Sequence, residues 1–328
     1  MNLARKGELA LVNDIRARFS SSLPRGGTGI GDDAAIMAPG PGKLLATVDA
    51  MVEGVHFDLA LITPRQLGCK LVAVNVSDIY AMGGRPDYLF LSMALPPRTR
   101  TSFIDKFFDG IEEGLHSHGT VLAGGDLSSS PSGVTLSATV TGHALKPVKR
   151  SGAKVGHGIF VTGTLGDSAC GLELLKRIGR PVNLEKGRQT PLSWKIMGPL
   201  IKKHLVPEPR PLGNGALKEV SSMMDLSDGL LLDLWRLCSE SGTGAVLHEK
   251  AIPVSFEMRT AAEYLGIDPL ELALAGGEDY VILFTSPRKK VRGAVRIGDV
   301  ASGGYKLIEM SGRERRLPPS GYAHFNGK

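Results

Sequence analysis

Along the chain, apolar positions recur either at every second residue, as in strands, or at helical spacing, and the two patterns alternate. Residues 7–19 mix apolar and charged positions at helical spacing and predict an amphipathic opening helix. Beyond the loop Gly29-Ile30-Gly31-Asp32-Asp33, Lys43 to Asp49 reads as a strand ending on a carboxylate. A helix from Pro64 to Met82 follows, with Thr63 as cap and Pro64 in its first turn. On it Leu67, Leu71, Val74 and Asp78 fall at 4-3-4 spacing, which predicts that Asp78 lies on the buried stripe. A carboxylate so placed needs a partner, a proton or a metal ion. Strands are expected at Tyr88–Leu95, Thr120–Ala123 and Gly133–His143, with a helix over about Thr101–His118. Gly124-Gly125-Asp126 is expected to end the second of those strands.

Lys149-Arg150-Ser151-Gly152 interrupts the apolar pattern and reads as a linker between domains spanning 1–148 and 149–328. The second half predicts a strand over Gly158–Thr162, a helix after Gly163-Thr164-Leu165-Gly166-Asp167-Ser168 and a loop over 181–190. Helices near 193–204 and 214–221 follow, then a strand over Ser222–Leu226 and a helix over Leu230–Glu240. Ser227, in Asp225-Leu226-Ser227-Asp228-Gly229, is the expected N-cap of that last helix, whose free N–H groups would suit an anion. Gly276-Gly277-Glu278-Asp279 precedes a strand over Tyr280–Phe284.

At 328 residues, two α/β domains are the natural reading. A hydrophobic fraction of 42% describes a globular chain, and no apolar run approaches a bilayer span. Met1 to Ala10 has no apolar h-region, so no signal peptide is expected. Cys69, Cys170 and Cys238 are far apart and fit reduced thiols of a cytosolic enzyme. The net charge of +6 is scattered and not interleaved with aromatic residues, which are only 5% of the chain. That argues against nucleic acid and for solubility plus attraction of phosphorylated substrates.

No P-loop, dinucleotide fingerprint, protein-kinase catalytic loop or serine-hydrolase elbow is present. His116-x-His118 has no cysteines nearby and reads as a solvated pair, not a zinc site. What remains is a set of carboxylates behind glycines or at element ends: Asp33, Asp49, Asp78, Asp126, Asp225 and Asp228. Gathered in one pocket they would tolerate each other only around several cations, and Mg²⁺ suits such hard oxygen donors. Several Mg²⁺ ions imply a polyanionic substrate, hence ATP-dependent phosphoryl transfer on a fold without a P-loop.

The chain resembles the thiamine-monophosphate kinase family of the aminoimidazole-ribonucleotide-synthetase-like superfamily, over about Gly7 to Phe325. The likeness rests on G-I-G-D-D-A-A (29–35), V-E-G-V-H-F (52–57), V-N-V-S-D-I-Y-A-M-G (74–83), G-G-D (124–126) and R-S-G-A (150–153). It continues through T-G-T-L-G-D-S-A (162–169), D-L-S-D-G-L (225–230), G-G-E-D-Y (276–280) and G-Y-A-H-F (321–325). The resemblance implies an α/β (α+β) fold of two domains, with ATP, Mg²⁺ and dimerisation assigned to the first. It also implies a homodimer joined through N-terminal strands, an active site in the cleft between domains, and phosphorylation of thiamine monophosphate by ATP in the cytoplasm. By motif position, Asp33, Thr47, Val48, Asp49, Asp78, Asp126, Asp225 and Asp228 would bind Mg²⁺. Gly125, Asp126, Arg150 and Ser227 would hold ATP, and His56, Glu278 and Tyr322 the thiamine phosphate. Asp126, Arg150 and Asp228 would be the catalytic groups.

Three positions depart from the family pattern: Val48 and Leu127 stand where threonine is usual, and Val281 where an acidic residue is usual. At Val48 only the main-chain carbonyl could meet a metal. Two other readings remain open: a superfamily enzyme that activates an amide or formyl oxygen, and a silent nucleotide-binding protein. The motifs V-E-G-V-H-F and G-Y-A-H-F weigh against the first, and intact His56, Glu278 and Tyr322 against the second.

Overall fold

The computed structural model describes residues 1–19, 29–30, 34–38, 40–184 and 192–322. They group into two compact units. Unit 1 comprises Met1–Ile79, Gly84–Lys146 and Arg180–Val182; unit 2 comprises Tyr80–Gly83, Pro147–Gly179 and Asn183–Lys328.

Unit 1 begins with helices α1 (Leu3–Lys6) and α2 (Glu8–Phe19), followed by β1 (Lys43–Val52), α3 (Pro64–Ala81) and β2 (Arg85–Leu95). Then come α4 (Thr101–His118), β3 (Val121–Ser129) and β4 (Thr135–Ala144). The four strands form one sheet in the order β1-β4-β2-β3, antiparallel except for β2 and β3, which α4 connects as a parallel crossover. Alternation along β1 and β4 separates two faces. Met51, Leu136, Ala138 and Val140 are buried on one, while Leu44, Ala46, Val48 and Ala50 are exposed on the other.

Helix α3 starts where the sequence predicts. Thr63 Oγ1 accepts from Gln66 N (3.3 Å) and Gln66 Oε1 accepts from Thr63 N (2.9 Å), a reciprocal cap ahead of Pro64. Its burial differs from the expected stripe. From Gln66 to Ala81 every residue is buried except Asp78, which is half-buried. A helix buried on nearly all sides, with Gln66, Lys70, Asn75 and Ser77 buried among its apolar residues, is a core helix, and Asp78 marks an accessible point on it. The strand carrying Gly124-Gly125-Asp126 also departs from expectation, since β3 runs through the motif to Ser129. Glycine acts here by allowing close approach, not by ending the strand. A Cβ at Gly125 would lie 2.0 Å from the Leu91 carbonyl oxygen.

Unit 2 contains β5 (Gly158–Val161), α5 (Asp167–Ile178), α6 (Trp194–Leu205), α7 (Asn214–Leu217), β6 (Ser222–Asp225), α8 (Leu230–Ser239) and β7 (Gly244–His248). It continues with α9 (Phe256–Leu265), α10 (Pro269–Ala275), β8 (Ile282–Ser286), β9 (Val295–Ala301), β10 (Tyr305–Ile308) and β11 (Glu314–Arg316). Its seven-stranded mixed sheet has the order β11-β10-β7-β9-β5-β8-β6. The central strands β5 and β8 are buried throughout, and Phe160 stacks on Phe284 with ring centroids 5.2 Å apart. Such a pair adds ~1 kcal/mol beyond the area it buries. No described helix is long and apolar enough to cross a membrane. The three cysteines are free and buried, and burial pushes Cys69 and Cys170 up to about 12 and Cys238 to about 11, leaving inert thiols.

Candidate functional site

In unit 1 the β1 strand presents Thr47 and Asp49 to the helix-covered face of the sheet, where Thr47 Oγ1 donates to Asp78 Oδ2 at 2.5 Å. These residues form one oxygen-rich group. Asp126 stands apart. In register it follows the row Ala50, Ser137 and Ser92, which belongs to the exposed face, whereas Asp49 follows Ala138, Leu91 and Gly125 on the covered face. The two carboxylates also occupy opposite edge strands, three strand spacings or ~14 Å apart. Val48 points to the exposed face and is 63% accessible. His56 closes a tight turn after β1, its Nδ1 accepting from Val52 N (3.1 Å), so the neutral ring carries its proton on Nε2. Asp33 and the rest of the Gly31 to Asp33 motif lie outside the described residues.

Unit 2 gathers its candidates more tightly. Strand β6 ends on the buried Asp225, and the turn that follows is bonded to two segments distant in sequence. Glu278 N donates to Ser227 O (2.7 Å), Tyr280 N to Leu226 O (2.8 Å) and Tyr322 N to Asp228 O (3.0 Å). Asp225, Ser227, Asp228, Glu278 and Tyr322 are thereby brought to one place. The packing leaves no room for a side chain at Gly277, where a Cβ would lie 2.7 Å from Ser227 O. Glu278 and Tyr280 both hold positive φ, 65° and 49°. Left-handed backbone at two such residues costs on the order of 1–3 kcal/mol each and is retained where neighbouring contacts impose it.

Ser227 is not the N-cap of α8. Gly229 holds that place at φ 113°, without a side-chain cap. Asp233, within the first turn and fully buried, reaches back and accepts from Ser227 N (3.1 Å) and Asp228 N (3.0 Å). Arg236 then bridges Asp233 Oδ1 (2.9 Å) and Asp228 Oδ2. Burial raises Asp233 to about 6 despite those donors. Arg150 is exposed, and its neighbour Lys149 accepts from Met223 N (2.9 Å), which sets the arginine beside the strand ending in Asp225.

Several of these supporting residues escape sequence reasoning. Asp233 has a visible signal, a lone carboxylate in the leucine-rich run Leu230 to Leu237, but Arg236 reads as an ordinary surface cation. Asp279, fully buried, accepts from Gly166 N (2.6 Å) and Ser168 N (3.2 Å), and burial raises it to about 7. His204 Nδ1 lies 3.1 Å from Glu278 Oε2 and 3.2 Å from Ser168 Oγ. Tyr280 also lines a cavity of about 440 Å³ together with Thr162, Thr164, Lys202, Lys203 and Arg210.

Among the described residues, no three His, Cys, Asp or Glu side chains are grouped as a ready-made metal site. Asp33 lies outside the described residues, and Asp228 is offset by Arg236. The candidate donors, Thr47 bonded to Asp78 on one unit and Asp225 and Asp228 of one turn on the other, are all oxygen, which fits Mg²⁺ rather than a softer ion.

Comparisons by sequence and by structure agree on the family of the chain. A family model described as AIR synthase related protein, N-terminal domain, matches residues 31–144. The thiamine-monophosphate kinase of Aquifex aeolicus is 34% identical over 99% of this chain and 100% of its own, and that of Escherichia coli strain K12 is 38% identical over 90% and 86%. The solved structure described as AaThiL complexed with AMPPCP and TMP superposes with a TM-score of 0.76 at 34% identity, covering 99% of both chains.

Proposed function

The chain belongs to the thiamine-monophosphate kinase family, and on that premise we propose that it transfers the γ-phosphoryl group of ATP to the phosphate of thiamine monophosphate, giving thiamine diphosphate and ADP. The observation that carries this reading is the main-chain lacing of residues 226–228 to 278–280 and to 322, which unites motifs spread over the second half of the chain. A relative of the same fold is complexed with AMPPCP and TMP, a nucleotide and an acceptor together.

Both reactants are anions, so the chain's task is to align them and offset their repulsion. The acceptor phosphate is already ionised and needs no strong base. Arg150 would pair with phosphate oxygens through its planar fork, and Gly125, Asp126 and Ser227 would hold the nucleotide. His56 would donate from Nε2, Glu278 would face the cationic ring or amino group of thiamine, and Tyr322, 45% accessible, would stack on an aromatic ring. Asp33, Thr47, Asp49, Asp78, Asp126, Asp225 and Asp228, with the Val48 carbonyl, would hold Mg²⁺. When bound, Mg²⁺ supplies charge neutralisation on the transferring group.

The exposed row Leu44, Ala46, Val48 and Ala50 supports a homodimer that covers this face of the sheet. Domains spanning 1–148 and 149–328 would then divide the work, the first holding nucleotide, Mg²⁺ and the dimer contact. Free thiols and the use of ATP suit the cytoplasm. The test is a reaction with ATP, Mg²⁺ and thiamine monophosphate resolved by chromatography. Thiamine diphosphate appearing only when all three are present supports the reading; ADP formed without it overturns the reading.

A further inference from the structure

Glu278 is held at its main chain by Ser227 O, but a glutamate side chain keeps further torsions, and ordering it on binding costs conformational entropy. Here the side chain is met by His204. This histidine lies buried in the last turn of α6, between Ile201 and Leu205, which are fully buried core residues. An apolar residue would satisfy packing there, and a buried imidazole is retained at a cost unless it has polar partners. Its Nδ1 has two, Glu278 Oε2 at 3.1 Å and Ser168 Oγ at 3.2 Å.

Ser168 is itself fixed. Its main-chain N–H donates to Asp279, the residue after Glu278, and Gly166 N donates to the same carboxylate. The start of α5 therefore holds both neighbours, Asp279 directly and Glu278 through His204. The Glu278 side chain remains 30% accessible, so the fixed carboxylate still has an open side.

We propose that His204 is a positioning residue that holds the Glu278 carboxylate in the orientation that receives the cationic, heteroaromatic part of the acceptor. This rests on the reading of Glu278 as an acceptor-side residue. Pre-fixing the carboxylate moves its ordering cost from binding to folding, so the benefit falls on acceptor affinity and not on ATP.

The test is a kinetic cycle of His204→Leu, Glu278→Gln and the double variant, with His204→Asn as the conservative replacement that keeps a side-chain N–H near Nδ1. His204→Leu should raise KM for thiamine monophosphate about tenfold with KM for ATP unchanged. The double variant should be no worse than Glu278→Gln alone, and His204→Asn should recover most of the loss. If Glu278→Gln alters KM for thiamine monophosphate but His204→Leu does not, or both KM values move together, the positioning role is overturned while the acceptor reading stands. If Glu278→Gln itself leaves that KM unchanged, the acceptor reading fails and takes the inference with it.

Discussion

In unit 2, a turn at 225–229, a strained pair at 278 and 280, and Tyr322 are tied by main-chain hydrogen bonds and backed by Asp233, Arg236, Asp279 and His204. In unit 1, Asp49 and Asp126 stand on opposite edge strands and opposite faces of a sheet, and Thr47, on the face of Asp49, donates to Asp78. The contrast separates two proposed ways of holding a polyanion. Unit 2 holds its candidates by its own hydrogen bonds, with its own cation offsetting Asp228. Unit 1 divides its candidates between two faces of one sheet, Thr47 and Asp49 with Asp78 on one and Asp126 on the other.

The sharpest way to break this comparison is to neutralise one carboxylate in each unit. Asp78→Asn and Asp228→Asn should each lower kcat by ~10² or more, since each would lose a Mg²⁺ ligand. Stability should part them. Asparagine at 78 still accepts from Thr47, so melting without metal should change by less than about 1 kcal/mol. Asparagine at 228 leaves Arg236 facing one carboxylate fewer, and the melting temperature should fall by several degrees. Equal stability effects at the two sites would erase the distinction.

A second test concerns the support beneath Glu278. Burial raises Asp279 to about 7, above the ~3.9 of an unfolded aspartate. The stability this contributes is fully present below the unfolded value and is lost as pH rises through about 7. The melting temperature of the parent chain relative to Asp279→Asn should therefore rise on going from pH 8 to pH 5, by on the order of 5 °C. A gap independent of pH would remove Asp279 from the account.

Smaller effects are expected on the exposed face of unit 1. Leu44 is 74% accessible, and Leu44→Asp should convert a species of about twice 34.8 kDa in sedimentation into monomer, with little change in melting of the single chain. A parent chain already monomeric at micromolar concentration would contradict the dimer. Smallest of all is Val48→Thr, which restores the usual family residue at a position 63% accessible. It should alter stability by less than ~0.5 kcal/mol and activity by less than about threefold, because the proposed contact uses the main-chain carbonyl.

Much of this was legible in the residues. Thr63-Pro64 marks the start of α3 through chemistry local to the chain, and the alternation from Thr135 to Ala144 gives β4 within two residues. Three features were not legible because they depend on neighbours remote in sequence. Glycines at 124 and 125 resemble a strand end, yet β3 runs on through them, and Gly125 lets it run close against Leu91. Ser227 resembles an N-cap, yet Gly229 holds that place and Asp233 takes over the bonding from inside the helix. His204 carries no local signal at all, since its partners lie at 168 and 278.

The central claim is direct transfer between two phosphates, and positional labelling tests it most directly. ATP labelled at the γ-phosphorus should place label in the terminal phosphate of thiamine diphosphate, one for each ADP formed, with none in inorganic phosphate. Label released as inorganic phosphate, with ADP accumulating and thiamine monophosphate unchanged, would contradict the account.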